Sequence, residues 1–410
     1  MGEGKLEISF GRSTLYQEGV FNKTLALMLK AINFENIVKL NFREKIEESF
    51  ACEILKRMKN LKTITSKIVY LGQLQVSDNI YRVIAENCER IEKVDINVAI
   101  SPDTLNDLLR KCKHLKTLGL YSIGISTLRC LAANDKSQRI EGLVLKQFEK
   151  GETKEGCRLL SRFFVNCGNN FRSLKLEDTK IPLEEVLSLI AKNCPNFEEL
   201  VIEGRATQEI KLNSLLELAN NCKNFPSVLK ITQETALEGC TLEKMEQFGN
   251  NFFKRLRKLK LETKEDNLCN LTKLHLYDCP NLEKISLSGV PIKEFSGKIL
   301  TLKKLRALEI GTFLFTEKEK DSVFEINSSS LTKFKISNSK LNNEILLDCP
   351  NLKILSLSNY FACKLVSPAN LRKIKVNINS SHQVDRLENF RISSLEIQKP
   401  AELKEEDWKR

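Results

Sequence analysis

Thiols and imidazoles are the side chains here with the most chemistry to offer, and their spacing decides which chemistry is open to them. Thirteen cysteines stand in the chain with three histidines, His114, His275 and His382. A thiolate zinc site usually shows itself as paired Cys-x-x-Cys ligands, and no such pair occurs. A cysteine nucleophile needs an imidazole within reach as its base. Cys279 with His275 makes such a pair on paper, but His275 falls in a strand-like phrase and Cys279 in a packing slot described below. Phosphate loops, G-x-S-x-G elbows and H-E-x-x-H zinc motifs are absent. No catalytic, cofactor-binding or metal-ligating residue is assigned, no cofactor is expected, and the chain is read as not an enzyme.

The cysteines do share a position, and it belongs to a repeat. An aliphatic residue, two variable positions, a second aliphatic, one variable position and a third recur along the chain, as in Leu115-Lys116-Thr117-Leu118-Gly119-Leu120. Clear copies begin at Ile91, Leu115, Ile140, Phe171, Phe197, Leu256, Leu271, Leu282, Leu305, Leu331, Leu352, Leu371 and Ile392. A weaker copy begins at Ile37, and degenerate ones fall near Leu61 and Phe225. Cys88, Cys112, Cys194, Cys222, Cys279 and Cys349 each stand three residues before a copy, Cys167 four before and Cys269 two before. That slot marks the end of a return segment, where the chain turns into the next strand and a small apolar side chain fits.

The last three residues of each phrase alternate in strand fashion, and the segments between phrases show helical spacing. Residues 104–110 and 183–190 are such returns, each introduced by a proline suited to helix initiation. One strand and one helix of this size cannot bury an apolar face alone, so copies must stack. The phrase, the returns and the cysteine slot together resemble leucine-rich-repeat proteins over about residues 35 to 398. Phrases such as Asn193-Cys194-Pro195-Asn196-Phe197 resemble the cysteine-containing subclass found in F-box/leucine-rich-repeat substrate receptors of ubiquitin ligases. The expected fold class is an α/β leucine-rich-repeat solenoid, a horseshoe with a parallel concave sheet and helices or irregular segments on the convex side.

Spacing subdivides this body. Copies from Ile91 to Phe225 lie 24, 25, 31, 26 and 28 residues apart, enough for an outer helix. From Leu256 onward the intervals are 15, 11, 23, 26, 21, 19 and 21. The expected organisation is an N-terminal cap over 1–35, containing the run Leu25 to Leu29, and a solenoid over 36–398. Within the solenoid, helix-backed repeats reach about residue 203, an irregular segment spans 204–250 and shorter repeats span 251–398. A charged tail holding Trp408 completes it over 399–410. The leucine- and proline-rich opening of an F-box is not seen before the repeats.

The variable positions of each strand point to the concave face, which the resemblance implies is the partner surface. In the first half they are mixed; in the second they turn basic. Lys258, Lys260, Lys273, His275, Tyr277, Lys284, Lys333, Lys335, Lys373 and Lys375 are the candidate partner-binding residues, offset in part by Glu262, Glu309 and Glu396. With 65 Lys and Arg against 53 Asp and Glu, the net charge of +12 favours acidic proteins, anionic membrane surfaces or nucleic acid without choosing among them; the basic stripe favours an acidic or phosphorylated protein partner. Nucleic acid ranks lower, because stacking aromatics are sparse on this face.

No run approaches the ~20 apolar residues of a membrane span, and neither a signal peptide nor a myristoylation pattern is present. Abundant cysteine without a secretion signal points to a reducing compartment, cytoplasm or nucleus. The expected function is a non-catalytic protein-interaction scaffold, as in the substrate-recognition part of a ubiquitin ligase. The alternatives are an effector acting in a host cytoplasm and a GTPase-activating protein built on leucine-rich repeats. The last would need an exposed catalytic arginine or asparagine that no phrase identifies.

Overall fold

Each copy of the phrase becomes one rung. In the computed structural model the apolar fourth and sixth positions turn inward and the third and fifth outward, as strand periodicity requires. Described are residues 6–10, 33–42, 48–66, 78–148, 153–179, 181–203, 210–232, 237–238, 254–262, 279–288, 290–291, 302–311, 313–314, 324–336, 344–358, 362–365, 370–377 and 395–398. The chain divides into two units. The first holds residues 1–198, 202–208 and 220–223, and the second holds 199–201, 209–219 and 224–410.

In the first unit the rungs are β1 (Leu6–Phe10), β2 (Ile37–Phe42), β3 (Thr63–Ser66), β4 (Lys93–Asp95), β5 (Thr117–Ile123), β6 (Gly142–Phe148) and β7 (Ser173–Glu177). Each pairs with the next in parallel. β8 (Glu199–Glu203) has residues in both units. β1 carries the ladder into the segment expected to form a cap; the run Leu25 to Leu29 lies outside the described residues, as do 399–410.

Helices cover one face of this ladder: α1 (Glu48–Leu55), α2 (Asp78–Asn87), α3 (Pro102–Lys111), α4 (Ile125–Ala133), α5 (Thr153–Cys167) and α6 (Leu183–Asn193). The local causes are plain in α3. The Ser101 side chain caps its start, Pro102 opens its first turn, and Arg110 and Lys111 face the negative end of its dipole. Leu105, Leu108 and Leu109, at helical spacing, are fully buried. Each such side chain removes apolar surface worth about 1.5–3 kcal/mol.

The cysteine slot has a geometric origin. The backbone N–H of the first apolar residue in a copy bonds to the carbonyl of the slot residue, Ile91 to Cys88, Leu115 to Cys112, Phe197 to Cys194, Leu282 to Cys279 and Leu352 to Cys349. A turn closed by an i to i+3 bond separates its ends by three residues, so the spacing follows. Before Phe171 the turn opens at Gly168, whose φ of +36° suits glycine, and Cys167 is displaced by one.

The second unit stacks β9 (Val228–Thr232), β10 (Lys258–Glu262), β11 (Lys284–Ser288), β12 (Ala307–Ile310), β13 (Lys333–Ile336), β14 (Ile354–Ser358), β15 (Lys373–Asn377) and β16 (Leu395–Gln398) in parallel, in that order. β10 pairs directly with β11. The phrase at Leu271 lies outside the described residues, and the copies at Leu256 and Leu282 that carry these two paired strands begin 26 residues apart. Described returns here include the helix Leu212–Asn221, most of which belongs to this unit, and short strands: Phe324–Asn327, Glu344–Asp348 and Ala362–Leu365 form a parallel sheet of their own. Among the described residues no helix is long and apolar enough to cross a membrane.

Candidate functional site

The outward positions of the second unit form rows, because parallel register sets equivalent residues side by side. One row runs Val228, Lys258, Lys284, Ala307, Lys333, Ile354, Lys373; the next runs Lys230, Lys260, Ser286, Glu309, Lys335, Ser356, Lys375, Glu396. Neighbours in a row stand ~4.8 Å apart, so the sequence-predicted lysines do gather on one face. They are not electrostatically alike. Glu309 Oε1 accepts hydrogen bonds from Lys284 Nζ at 3.1 Å and from Lys333 Nζ at 2.8 Å, with its own side chain 18% exposed.

Burial raises the Glu309 carboxyl pKa, but the hydrogen bonds from Lys333 and Lys284 outweigh it and hold the group below its ordinary value. The middle of the basic stripe is thus partly compensated from within. Lys258 and Lys335, by contrast, are exposed and have no ion-pair partner among the described residues. Lys373 and Lys375 are placed by backbone register alone, and Lys273, His275 and Tyr277 lie outside the described residues.

The first unit treats its charges differently. Lys146 Nζ reaches Asp95 Oδ1 at 2.7 Å, Asn97 Oδ1 at 2.6 Å and Glu177 Oε2 at 3.8 Å. Its side chain is 6% exposed and that of Asp95 13%. Lys146 and Asp95 belong to β6 and β4, so the pair spans β5, where Gly119 leaves the way clear. A Cβ at Gly119 would stand 2.7 Å from Asp95 Oδ1. The ion pair is short but off the hydrogen-bond direction, leaving Oδ1 charge-compensated without an aligned donor. Lys175 extends the network to Glu177 at 3.0 Å and Glu203 at 2.6 Å. Residue types along the strands had read only as mixed; the glycine beside an aspartate rung was the available signal.

A third row, at the second position of each phrase, is more regular still. In the first unit it reads Lys62, Glu92, Lys116, Glu141, Arg172, Glu198, and each backbone N–H after Lys62 bonds to the preceding member's carbonyl. Signs alternate throughout. Lys62–Glu92 close to 2.7 Å, Lys116–Glu141 to 3.0 Å and Arg172–Glu198 to 2.6 Å. The second unit begins the same way, with Arg257–Glu283 at 2.9 Å. It then continues Arg306, Thr332, Lys353, Arg372, linked by the same backbone bonds, and the alternation stops. Arg306 and Lys353 are exposed and have no ion-pair partner among the described residues. This row was legible in the sequence from the moment the phrase was aligned.

The described slot thiols are sealed, while Cys52 and Cys130, outside the slot, are half-buried. Cys88, Cys112, Cys167 and Cys222 are buried, and desolvation pushes each thiol pKa up to about 12. Cys222 Sγ donates to the Cys194 carbonyl at 3.3 Å and Cys349 Sγ to that of Ile326 at 3.6 Å, each reaching back one copy. Such thiols are poor nucleophiles. Among the described residues no group of three or more His, Cys, Asp or Glu is gathered as a metal site.

No family model and no curated protein matches this chain. Among solved structures it is similar to the yeast Rad7 and Elc1 complex, at 13% identity and a TM-score of 0.40 over 87% of this chain and 89% of that one. It is also similar to a leucine-rich-repeat protein of Leptospira interrogans, at 14% identity and a TM-score of 0.36 over 86% and 88%. At those values the likeness carries no functional argument. The architecture rests on the ladders themselves, one phrase to each rung with helices or short strands behind, and it is an α/β leucine-rich-repeat fold.

Proposed function

We propose that the chain is a non-catalytic scaffold that binds a protein partner on the open strand face of its ladders, the face expected to be concave. The observation that supports this most is the register. It lines up the variable side chains of successive copies into continuous rows on a hydrogen-bonded sheet, while the described slot thiols are buried away from solvent. Lys258, Lys284, Lys333 and Lys335 are the described members of the partner surface, with Lys260, Lys373 and Lys375 beside them in register. Buried free thiols support a reducing compartment, cytoplasm or nucleus. The recurrent slot, as in Asn193 to Phe197, supports a finer reading as a substrate-recognition part of a ubiquitin ligase.

Photo-crosslinking tests the scaffold reading. A photoreactive amino acid placed at Lys335 or Ser356, on the open face, should capture partner from the source cell extract. The same group at Val165 or Arg158, exposed on the helix side, should not. Capture from the helix side alone would sink the proposal. The ligase reading requires co-purification of a ligase adaptor with the same crosslinked species.

A further inference from the structure

The sign alternation of the rim row shows how this fold ordinarily treats charge at that position, and its interruption singles out one stretch. From Lys62 to Glu198, and again at Arg257–Glu283, each cation has an acidic neighbour one rung away. Between Arg306 and Lys353 stands Thr332, whose hydroxyl donates to the Arg306 carbonyl at 3.0 Å and supplies no charge. Arg306 and Lys353 are therefore two exposed cations two rungs apart, ~10 Å by strand spacing. Lys335, on the rung between them, is a third on the adjoining open face.

Immediately beside them Glu309 pairs with both Lys284 and Lys333 and offsets part of their charge. That carboxylate limits self-repulsion in the stripe, and Arg306, Lys335 and Lys353 stand beside it as neighbouring exposed cations with no ion-pair partner among the described residues; Lys258, on β10, is a further one. The described outward positions of β10 to β14 are Lys, Ser, Glu, Ala and Ile, with no aromatic platform on which a base could stack. An embedded glutamate also opposes a polyanion charged at every residue. Discrete carboxylates on a peptide can avoid it.

We propose that the rim of the second unit around Arg306, Lys335 and Lys353 docks an acidic segment of a protein partner. This rests on the scaffold reading above and names the place and the chemistry. Its sharpest test is Thr332→Glu, which places an acid between two cations as at Glu92, Glu141 and Glu283 and so suits the fold.

The probe is a fluorescein-labelled peptide with single glutamates spaced apart in a Gly/Ser background, compared with its glutamine counterpart and a single-stranded oligonucleotide. Binding to the intact chain is read by fluorescence anisotropy at low and near-physiological salt. The glutamate peptide should bind more tightly than the other two. Thr332→Glu should weaken it by about 5-fold or more at low salt while leaving thermal unfolding unchanged or raised. Thr332→Gln should leave binding intact, and Arg306→Gln with Lys353→Gln should reproduce the loss.

Equal binding to the wild type and Thr332→Glu would overturn the proposal, as would no peptide binding at all. Tighter binding of the oligonucleotide, lost in Thr332→Glu, would overturn the choice of a peptide. Each of these failures leaves the crosslinking result to judge the scaffold reading separately.

Discussion

Charged side chains in this protein do three different jobs according to burial. Lys146 is enclosed by Asp95, Asn97 and Glu177, and a buried pair gains little over apolar packing but is costly to break. Lys146→Met should therefore cost about 3–5 kcal/mol, seen as a lowered urea midpoint and lost amide protection in β4 to β6. Adding Asp95→Asn should restore a good part of it; no recovery would mean the cost was packing alone. Glu309 is the intermediate case. Its carboxyl titrates below its ordinary 4.5 in the folded chain. The stabilisation is thus complete above the unfolded-state value and lost as pH falls through the lowered folded value. Acid titration of Glu309→Gln against the wild type should show that acid-dependent loss diminished in the variant. The exposed rim pairs contribute ~0–1 kcal/mol each.

At the scale of elements, consecutive copies are tied by a side chain that sequence alignment can locate but not explain. Asparagine just before the first apolar residue donates its amide to a carbonyl of the preceding copy. Asn60 bonds Glu35, Asn170 bonds Gln138, Asn196 bonds Asn169, Asn281 bonds Lys254, Asn351 bonds Ser329 and Asn370 bonds Pro350, all between 2.7 and 3.0 Å. Asn196→Ala should cost about 1 kcal/mol, and Asn196→Asp at least as much, since the carboxylate cannot donate; denaturant melts would measure both. A second repeating device closes the long strands. Ser122, Gln147 and Asp178 have φ of 49°, 50° and 51° on three successive rungs, next to the register-paired Tyr121, Lys146 and Glu177. A left-handed non-glycine residue is strained, so Gln147→Gly should be neutral to about 1 kcal/mol stabilising, where glycine in a regular strand destabilises. A clear loss of stability would show that the Gln147 side chain matters more than its backbone.

For the molecule as a whole, the excess of 65 basic over 53 acidic residues is spread unevenly among the described ladders. Lys146 and Lys175 on the open face of the first unit are held in ion pairs, whereas Lys258, Arg306, Lys335 and Lys353 of the second are exposed with no ion-pair partner among the described residues. Partner capture through the second unit should weaken as salt rises from low to physiological, measured by the yield of crosslink from Lys335; a salt-independent yield would point to apolar docking. The sequence alone determined the repeat, its strand direction and the cysteine slot, because stacking forces the same apolar spacing on every copy. It also carried the rim alternation, since those residues meet at a fixed position of the phrase. The tertiary structure decided what depends on side chains converging across rungs: Lys146 reaching Asp95 past Gly119, and Glu309 claiming two of the predicted lysines. One-dimensional spacing orders neighbours along the chain, but only the register between strands settles which charges meet and which remain for a partner.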